Sequence, residues 1–552
     1  MWKMLGWVGL SCWVAVLLAG CSTPVEEGEC PKSKHPKILV DLYHTRLQNH
    51  VDYRLKKGEY NYQGVFGYHR AFKHLEKQGY QIDVFRNKPV TSICLDGYDT
   101  LFINLLHEKM PVISAEEQKA ITAYVKAGGG LVIIADHTNV YRHAERLNPM
   151  LKPMGIEILF GTIADSPPTY SVEGSGWIKV LDFRKHPVTE GVKMISLQTG
   201  TAFQAKAGVA YSSKDSFSDF WDETDQHGFY GDWKYNGDPK KEPKGPLPVV
   251  VAAEYGKGRV VVAGDQNMFG DTWLHFGDNF RLFMNTFAWT TKREAQKPHP
   301  GEVKPAGYNI GIDISHGPAW PGRSSGDGYY SFFAHLNRDE GISASALSGF
   351  SSQVDAWFSI RPEKAYSPSE IREIASLLDA GKRVVLFLEP GEVTTAMRDL
   401  LVTLAPSFSI EANGKDYLLK DTSAWKTFQS LKLPQVKGSI FRVESTFLKS
   451  DGLEISSVNG LFPSQPLESR RYLFDIRSSW GKSFLSVSYQ KRRMDLARVR
   501  KVSKGELIIF LQDGFWQNRT IGHRATEQPP NENKDAVTLL YAFLDYLKGS
   551  SR

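Results

Sequence analysis

Three apolar stretches of the sequence run into acids, imidazoles and amides. "ILVDLYH" at 38–44 closes on Asp41 and His44, "LVIIADHTN" at 131–139 on Asp136 and His137, and "GKGRVVVAGDQNMF" at 256–269 on Asp265 and Gln266. Carboxylates beside neutral imidazoles are ligands for borderline metals such as Zn or Mn, and they are also acid–base pairs that activate water. Asn139, His143, Asp271 and His275 follow a few residues downstream and could reach the same place. Asp41, His44, Asp136, His137 and Asp265 are the candidate catalytic residues; Asp136, His137, Asn139, Asp265 and Gln266 are the candidate ligand-binding set. Three uses stay open. Acids at strand ends cap the turns or helices that follow. The same groups can line a pocket for a polar ligand, or they can hold a divalent metal or drive acid–base hydrolysis. No H-E-x-x-H or comparable spacing selects the metal, so no cofactor is assigned beyond that one option.

The elements that must position these residues come twice. "ILVDLYH" at 38–44 returns as "IGIDISH" at 310–316, and "GYHRAFKHL" at 67–75 as "GYYSFFAHL" at 328–336. "ISAEEQKAITAYVKAGGGLVIIAD" at 113–136 matches "YSPSEIREIASLLDAGKRVVLFLE" at 366–389, and "GKGRVVVAGDQNMF" answers "SKGELIIFLQDGFW" at 503–516. Four blocks in one order point to a tandem pair of domains. In the third block Ser114 with Glu117, and Ser367 with Glu370, have capping-box spacing, and Pro368 takes the first helical position. Ile121, Tyr124 and Val125, like Ile374, Leu377 and Leu378, make an apolar stripe, and Gly128 and Gly381 stop the helices. Fully apolar runs follow, as in strands buried on both faces of a parallel sheet.

The domains predicted from this pattern are residues 36–295 and 308–547, joined by a linker at 296–307 whose Pro, Gly and charge leave nothing to bury. The second copy keeps Asp313 and His316 but has Glu389, Pro390, Gln512 and Asp513 elsewhere, so two identical sites are not expected. Proline offers no titratable group where the first copy has His137.

Residues 1–20 read as an export signal, with an apolar stretch too short for a comfortable membrane span. The signal ends in "LAGC", which resembles a bacterial lipobox and implies lipidation at Cys21, with 21–35 as a tether. An ordinary signal peptide or a short anchor is the alternative. Ser22 after that cysteine favours the outer membrane, facing the periplasm, in a cell that has one. With Cys12 removed and Cys21 lipidated, Cys30 and Cys94 remain in an oxidising compartment, either paired or as two thiols. The net charge of +6 over 552 residues, without a long basic run, argues against nucleic acid as a partner.

"YDTLFI" at 98–103, "SAEEQKAITAYVKAGGGLVIIAD", "HPVTEGV" at 186–192 and "YGKGRVVVAGD" at 255–265 resemble the class I glutamine amidotransferase-like superfamily. Its non-glutaminase branches, the ThuA-like proteins and the related gliding-motility and intraflagellar-transport domains, are the nearest in pattern. The resemblance implies an α/β fold of two tandem flavodoxin-like domains, with mainly parallel sheets covered by helices on both faces. Glutaminase members carry a nucleophilic Cys at the turn where this chain has Asp136 and Glu389, so thioester chemistry has no nucleophile here. A serine hydrolase lacks its G-x-S-x-G elbow.

Two further stretches stand out. The segment at 216–238 interleaves acids with aromatics, suiting an ordered surface loop, carbohydrate stacking or a Ca site. The basic stretch at 488–501 suits a solvated face or an acidic envelope polymer. The resulting expectation is a lipid-anchored envelope protein, membrane-bound through its acyl chains, that binds or assembles a polar ligand, a glycan or a protein partner. A metal-assisted or acid–base envelope hydrolase is the alternative.

Overall fold

The computed structural model describes residues 33–45, 51, 67–166, 177–220, 231–292, 307–317, 328–339, 341–388, 393–412, 415–423, 426, 441–445, 453–455, 480–489, 492–511, 516–521 and 534–549. Cys21, Cys30, the 1–20 segment, most of the tether and linker, Glu389, Pro390, Gln512 and Asp513 lie outside them.

The apolar runs form strands, and the strands gather into two large sheets. The first half contributes β1 (Lys37–Asp41), β2 (Gln81–Phe85), β3 (Thr100–Ile103), β4 (Gly130–Ile134), β5 (Asp182–Phe183), β6 (Gly208–Tyr211), β7 (Pro248–Tyr255) and β8 (Gly258–Ala263). They lie in the order β2-β1-β3-β4-β8-β7-β6-β5. The pairs from β2 through β8 are parallel, and the rest are antiparallel.

The second half contributes β9 (Tyr308–Asp313), β10 (Ile342–Leu347), β11 (Ala356–Ile360), β12 (Arg383–Phe387), β13 (Phe441–Ser445), β14 (Leu453–Ile455), β15 (Lys482–Tyr489), β16 (Arg492–Val502) and β17 (Gly505–Phe510). Their order is β10-β9-β11-β12-β17-β16-β15-β13-β14, again parallel as far as β17 and antiparallel beyond it. The fold is thus mixed α/β, with two parallel-cored sheets, as expected. The antiparallel extensions were not foreseen.

Each parallel core is covered on both faces, because successive strand residues enter opposite cores. Val132 and Ile134 join a core containing Phe72 of helix α1 (His69–Lys77) and Phe283 of α4 (Asn279–Thr291). Leu131 and Ile133 join the other, with Ile121 of α2 (Ala115–Ala127) and Leu147 of α3 (His143–Leu151). In the second half Val385 and Phe387 face α5 (Tyr330–Arg338) and α8 (Lys534–Lys548). Val384 and Leu386 face α6 (Pro368–Asp379) and α7 (Thr395–Leu404).

The capping boxes on α2 and α6 are both formed, Ser114 with Glu117 and Ser367 with Glu370. Each such cap is worth about 1 kcal/mol. The helices then hand over to their strands by close backbone approach. A Cβ on Gly258 would stand 1.9 Å from the Val125 carbonyl oxygen, and one on Gly505 2.2 Å from that of Lys382, so neither site admits a side chain.

The halves meet along a polar and aromatic seam. One guanidinium nitrogen of Arg70 donates to the carbonyls of Asn337 (2.5 Å) and Asp339 (2.9 Å), and the other to Ile342 (2.8 Å), satisfying the C-terminal end of α5. The Ala346 N–H donates to His275 O at 3.1 Å and Gly277 N–H to Ala346 O at 2.9 Å, so residues 275–277 extend the edge of the second sheet. Trp273 stacks on Phe333 with centroids 5.6 Å apart, and its ring lies 5.0 Å from both Trp177 and Tyr330. Replacing Arg70 by Ala leaves three carbonyls without their donor in the seam, at about 1–3 kcal/mol for each one that water cannot reach. Arg70→Ala is expected to lower the denaturant midpoint by several tenths molar and to split one thermal transition into two in scanning calorimetry.

Candidate functional site

The structure divides the predicted rim into two groups. Asp41 and His44 form the first, at the end of β1. His44 Nδ1 lies 2.8 Å from Asp41 Oδ2, while Asp41 Oδ1 accepts the N–H groups of Tyr43 (2.9 Å) and His44 (3.0 Å). On its other side His44 Nε2 stands 3.3 Å from Glu117 Oε1, an ion-pair contact outside hydrogen-bond alignment. Glu117 also accepts the N–H groups of Val90 (2.9 Å) and Ser114 (2.9 Å). Burial works against a charged His44, but the flanking carboxylates of Asp41 and Glu117 outweigh it and hold the imidazole above its ordinary value. The arrangement is a clamp between the end of β1 and the start of α2, with His44 only 1% exposed.

The second half repeats the clamp. His316 Nδ1 lies 2.9 Å from Asp313 Oδ2, and its Nε2 3.4 Å from Glu370 Oε1. The Tyr366 hydroxyl donates to Asp313 at 2.6 Å and its ring stacks on His316 with centroids 3.9 Å apart. His316 is likewise raised, burial again opposing and Asp313 and Glu370 prevailing. The clamp is more open here, with side-chain exposures of 12% for His316 and 38% for Glu370 against 1% and 3% for His44 and Glu117.

The second group sits at the ends of β3, β4 and β8. Ala263 pairs with Ile134, so Asp265 and Asp136 project from equal offsets on neighbouring parallel strands. Asp265 is fully buried and accepts the N–H groups of Gln198 (2.6 Å) and Asn267 (2.7 Å); burial nevertheless pushes its carboxyl up to about 7. Tyr68 donates to Gln266 O at 2.5 Å. Its hydroxyl is pushed well above 10.0 by burial first, then by the charges of Asp265 and Asp136. Asn104, Asp136 and Asp265 follow the ends of the adjacent parallel strands β3, β4 and β8, the edge where open sheets bind ligands, and Tyr68 reaches that edge through Gln266.

Beside them the chain turns sharply. Thr138 has φ 49°, and Tyr141 (56°) and Arg142 (60°) share the left-handed region. A β-branched residue held there costs on the order of 1–3 kcal/mol, a cost met mainly at functional corners. His137 packs its Nδ1 against Thr138 Oγ1 at 3.1 Å, and its N–H donates to Asp136 Oδ1 at 2.8 Å.

The downstream residues lie elsewhere than the rim or are already committed. His143 donates from Nδ1 to Val140 O (2.7 Å) and accepts at Nε2 from Asp136 N–H (3.2 Å); burial takes it down to about 4, a neutral structural histidine. Asn139 Oδ1 accepts from Glu145 N–H at 3.1 Å, capping the first turn of α3. Asp271 accepts from Arg70 N–H at 2.8 Å, and His275 belongs to the seam, so neither joins the rim. Tyr68, Asn104 and Glu117 were missed from sequence, although Tyr68 stands in the repeated "GYHRAFKHL" block and Asn104 directly follows "YDTLFI". Among the described residues no group of three or more His, Cys, Asp or Glu is disposed to hold a metal ion.

The two odd stretches are built into the fold where they are described. Phe217–Phe220 pairs with Gly161–Ala164, Asp219 accepts from Trp233 N–H at 2.7 Å, and Glu242 accepts from Asn236 N–H at 2.6 Å; residues 221–230 lie outside the described set. The basic stretch forms most of the β15–β16 hairpin, where Arg498 pairs with Asp495 at 2.9 Å.

A family model described as a domain of unknown function (DUF4350) matches residues 62–287. No curated protein matches the sequence. Among solved structures, the mmIFT52 N-terminal domain is 14% identical with a TM-score of 0.33, covering 46% of this chain and 97% of its own. A ThuA-like protein from Bacteroides uniformis ATCC 8492 is 16% identical, with a TM-score of 0.28 and coverages of 47% and 94%. A ThuA-like protein from Parabacteroides merdae ATCC 43184 is 13% identical, with a TM-score of 0.27 and coverages of 49% and 95%.

The clamps give a quantitative test. Removing His44 leaves two buried carboxylates uncompensated, so His44→Ala is expected to cost about 3 kcal/mol in urea unfolding at pH 6. His316→Ala should cost about 1 kcal/mol or less, because solvent screens Glu370. Both histidines are raised in the fold, so their ion-pair stabilisation is complete below about 6.5 and is lost as pH rises through the folded-state value. The His44→Ala deficit should therefore shrink above that point.

Proposed function

We propose that this protein is an exported lipoprotein, anchored through Cys21 to the outer membrane on its periplasmic side. In this reading it is a binding or assembly component for a polar ligand, a glycan or an envelope protein. The observation that carries the binding reading is the placement of Asn104, Asp136 and Asp265 at the ends of adjacent parallel strands, with Tyr68 bonded to Gln266 there and the strained Thr138 corner beside Asp136. His143 is hydrogen-bonded at both ring nitrogens and His44 is held between the carboxylates of Asp41 and Glu117, which favours recognition over turnover. Cys94 is disulfide-bonded, which supports an oxidising compartment. No helix among the described residues is long and apolar enough to cross a membrane; in this reading the lipid on Cys21 supplies the attachment.

The two halves are read as diverged copies of one domain. The matching strand orders, the paired capping boxes, the paired Asp–His–Glu clamps and the equivalent glycines Gly258 and Gly505 support that origin. The first copy would keep the working rim, and the second would serve as scaffold or partner surface.

A second reading, acid–base hydrolysis at the same rim, is favoured by Asp265, whose carboxyl keeps a proton near neutrality. The two part on whether a captured glycan is recovered intact or cleaved.

Mass spectrometry of the mature N-terminus should find an acylated Cys21, and Cys21→Ala should move the protein from the membrane to the soluble fraction; an unmodified mature protein cleaved elsewhere would refute the anchor. The double variant Asp136→Asn, His137→Ala should abolish the cellular role while shifting the melting temperature by only a few degrees. A folded, exported and phenotypically silent double variant would remove both readings of the rim.

A further inference from the structure

Between the strand-end rim and the seam lies a small cavity whose polar lining has a definite hydrogen-bonding character. It is bounded by the antiparallel pair Trp177–Val180 and Ile195–Gln198, by the chain following β8, and by the first residue of α4. It has room for a single water-sized molecule.

Most polar groups around it are committed. Trp177 Nε1 donates to Ser196 Oγ at 2.8 Å, and Asn279 Nδ2 donates to Ser196 O at 3.2 Å and Met268 O at 3.1 Å. Asn267 Nδ2 donates to Gln198 O at 3.2 Å, which fixes the orientation of that amide and turns its oxygen away from Gln198 O. Three buried side-chain atoms on the lining have no hydrogen-bond partner among the described residues: Gln198 Oε1, Asn267 Oδ1 and Trp273 Nε1. Asn267 is 5% exposed and Trp273 2%, and Gln198, half-buried as a residue, keeps its Oε1 out of solvent. A buried polar atom left alone costs about 1–3 kcal/mol, and three in one place call for a common partner.

The set is two acceptors and one donor. Its complement is a molecule with two hydrogens to give and one lone pair to receive. An ammonium or a metal ion would meet the indole N–H head-on, because that group can only donate. An anion would face two amide oxygens. We propose that this cavity is a binding site for one small neutral hydroxylic molecule, water itself, held by Gln198, Asn267 and Trp273. The proposal stands apart from the envelope role. It gives the seam a connection to the rim: Gln198 and Asn267 also donate their backbone N–H groups to Asp265. The bound molecule would then link that carboxylate's supports to the indole that stacks on Phe333.

The test uses the full chain, without added ligand. A crystal structure at better than about 1.8 Å should show one water peak within about 3.2 Å of Gln198 Oε1, Asn267 Oδ1 and Trp273 Nε1. Density larger than one water, a bound ion, or the three atoms paired with one another would overturn the proposal. Independently, with ¹⁵N-labelled indoles and Trp273→Phe to assign the signal, the Trp273 indole proton should show a cross-peak to long-lived water. That cross-peak should be lost in Asn267→Leu. Its absence in the unaltered protein would overturn the site, as would its persistence at full strength in a folded Asn267→Leu variant.

Discussion

A parallel strand whose successive side chains enter opposite apolar cores has nowhere to put a polar group until it ends. That constraint governs both sheets. Leu131, Val132, Ile133 and Ile134 are all buried, alternately toward α2 with α3 and toward α1 with α4, and the first polar side chain after them is Asp136. The same holds for Ile38 to Val40 before Asp41, and for Val260 to Ala263 before Asp265. Acids therefore accumulate at one edge of the layer, where helix starts and turns expose N–H groups that carboxylates can accept. Each acid must find such donors or keep its proton. Asp41 takes the first course, accepting two N–H groups and an imidazole; Asp265 accepts two backbone N–H groups and is still driven up to about 7 by burial.

The paired clamps show how one solution tolerates different surroundings. In both halves a histidine joins the acid that ends the first strand to the capping-box glutamate of the helix two strands on. Glu117 thereby serves the helix end, the Val90 backbone and His44 together. Removing the pair from water costs several kcal/mol per ion, which only good geometry and additional donors offset. In the first half the donors are backbone groups and the site is sealed. In the second, Tyr366 supplies a hydroxyl and a stacked ring, and the cluster stays partly in solvent, where less desolvation has to be offset. The shared geometry argues for a structural role, since a reacting imidazole needs one nitrogen facing a substrate.

What could be read in the sequence was local in sequence. Ser114 with Glu117 and Ser367 with Glu370 are three residues apart, and the box forms whenever the helix does. The alternation of core sides and the stop at Gly128 (φ 134°) follow from backbone periods of two and 3.6 residues. The strand-end location of Asp136 and Asp265 was legible for the same reason. The division of the rim was not, because lateral strand order is decided by crossovers: β1 and β4 are separated by β3, so Asp41 and Asp136 end on non-adjacent strands. Nor did sequence show that Glu117 meets His44, or that Arg70 crosses to the second half. Asp271 and His275 were misplaced because closeness to Asp265 along the chain says nothing about direction; the chain leaves the rim at once and enters the seam.

That departure ties the parts of the molecule together. Asp265 at the end of β8 and Trp273 in the seam are joined by a short buried segment that includes Asn267 and Met268. Its first backbone groups serve the rim carboxylate, and just beyond Trp273 residues 275–277 extend the edge strand β10. A rotation of one half against the other would have to break the Ala346 bonds and pull Trp273 from between Trp177 and Phe333. It would also disturb the N–H group of Asn267 that holds Asp265. The aromatic contacts alone bury large rings whose exposure costs a few kcal/mol each. A hinge between the halves is therefore a poor way for this molecule to respond to a ligand. With the rim fixed to a rigid second half, any local response is confined to the corner from Asp136 to Arg142, where Thr138, Tyr141 and Arg142 already hold left-handed backbone.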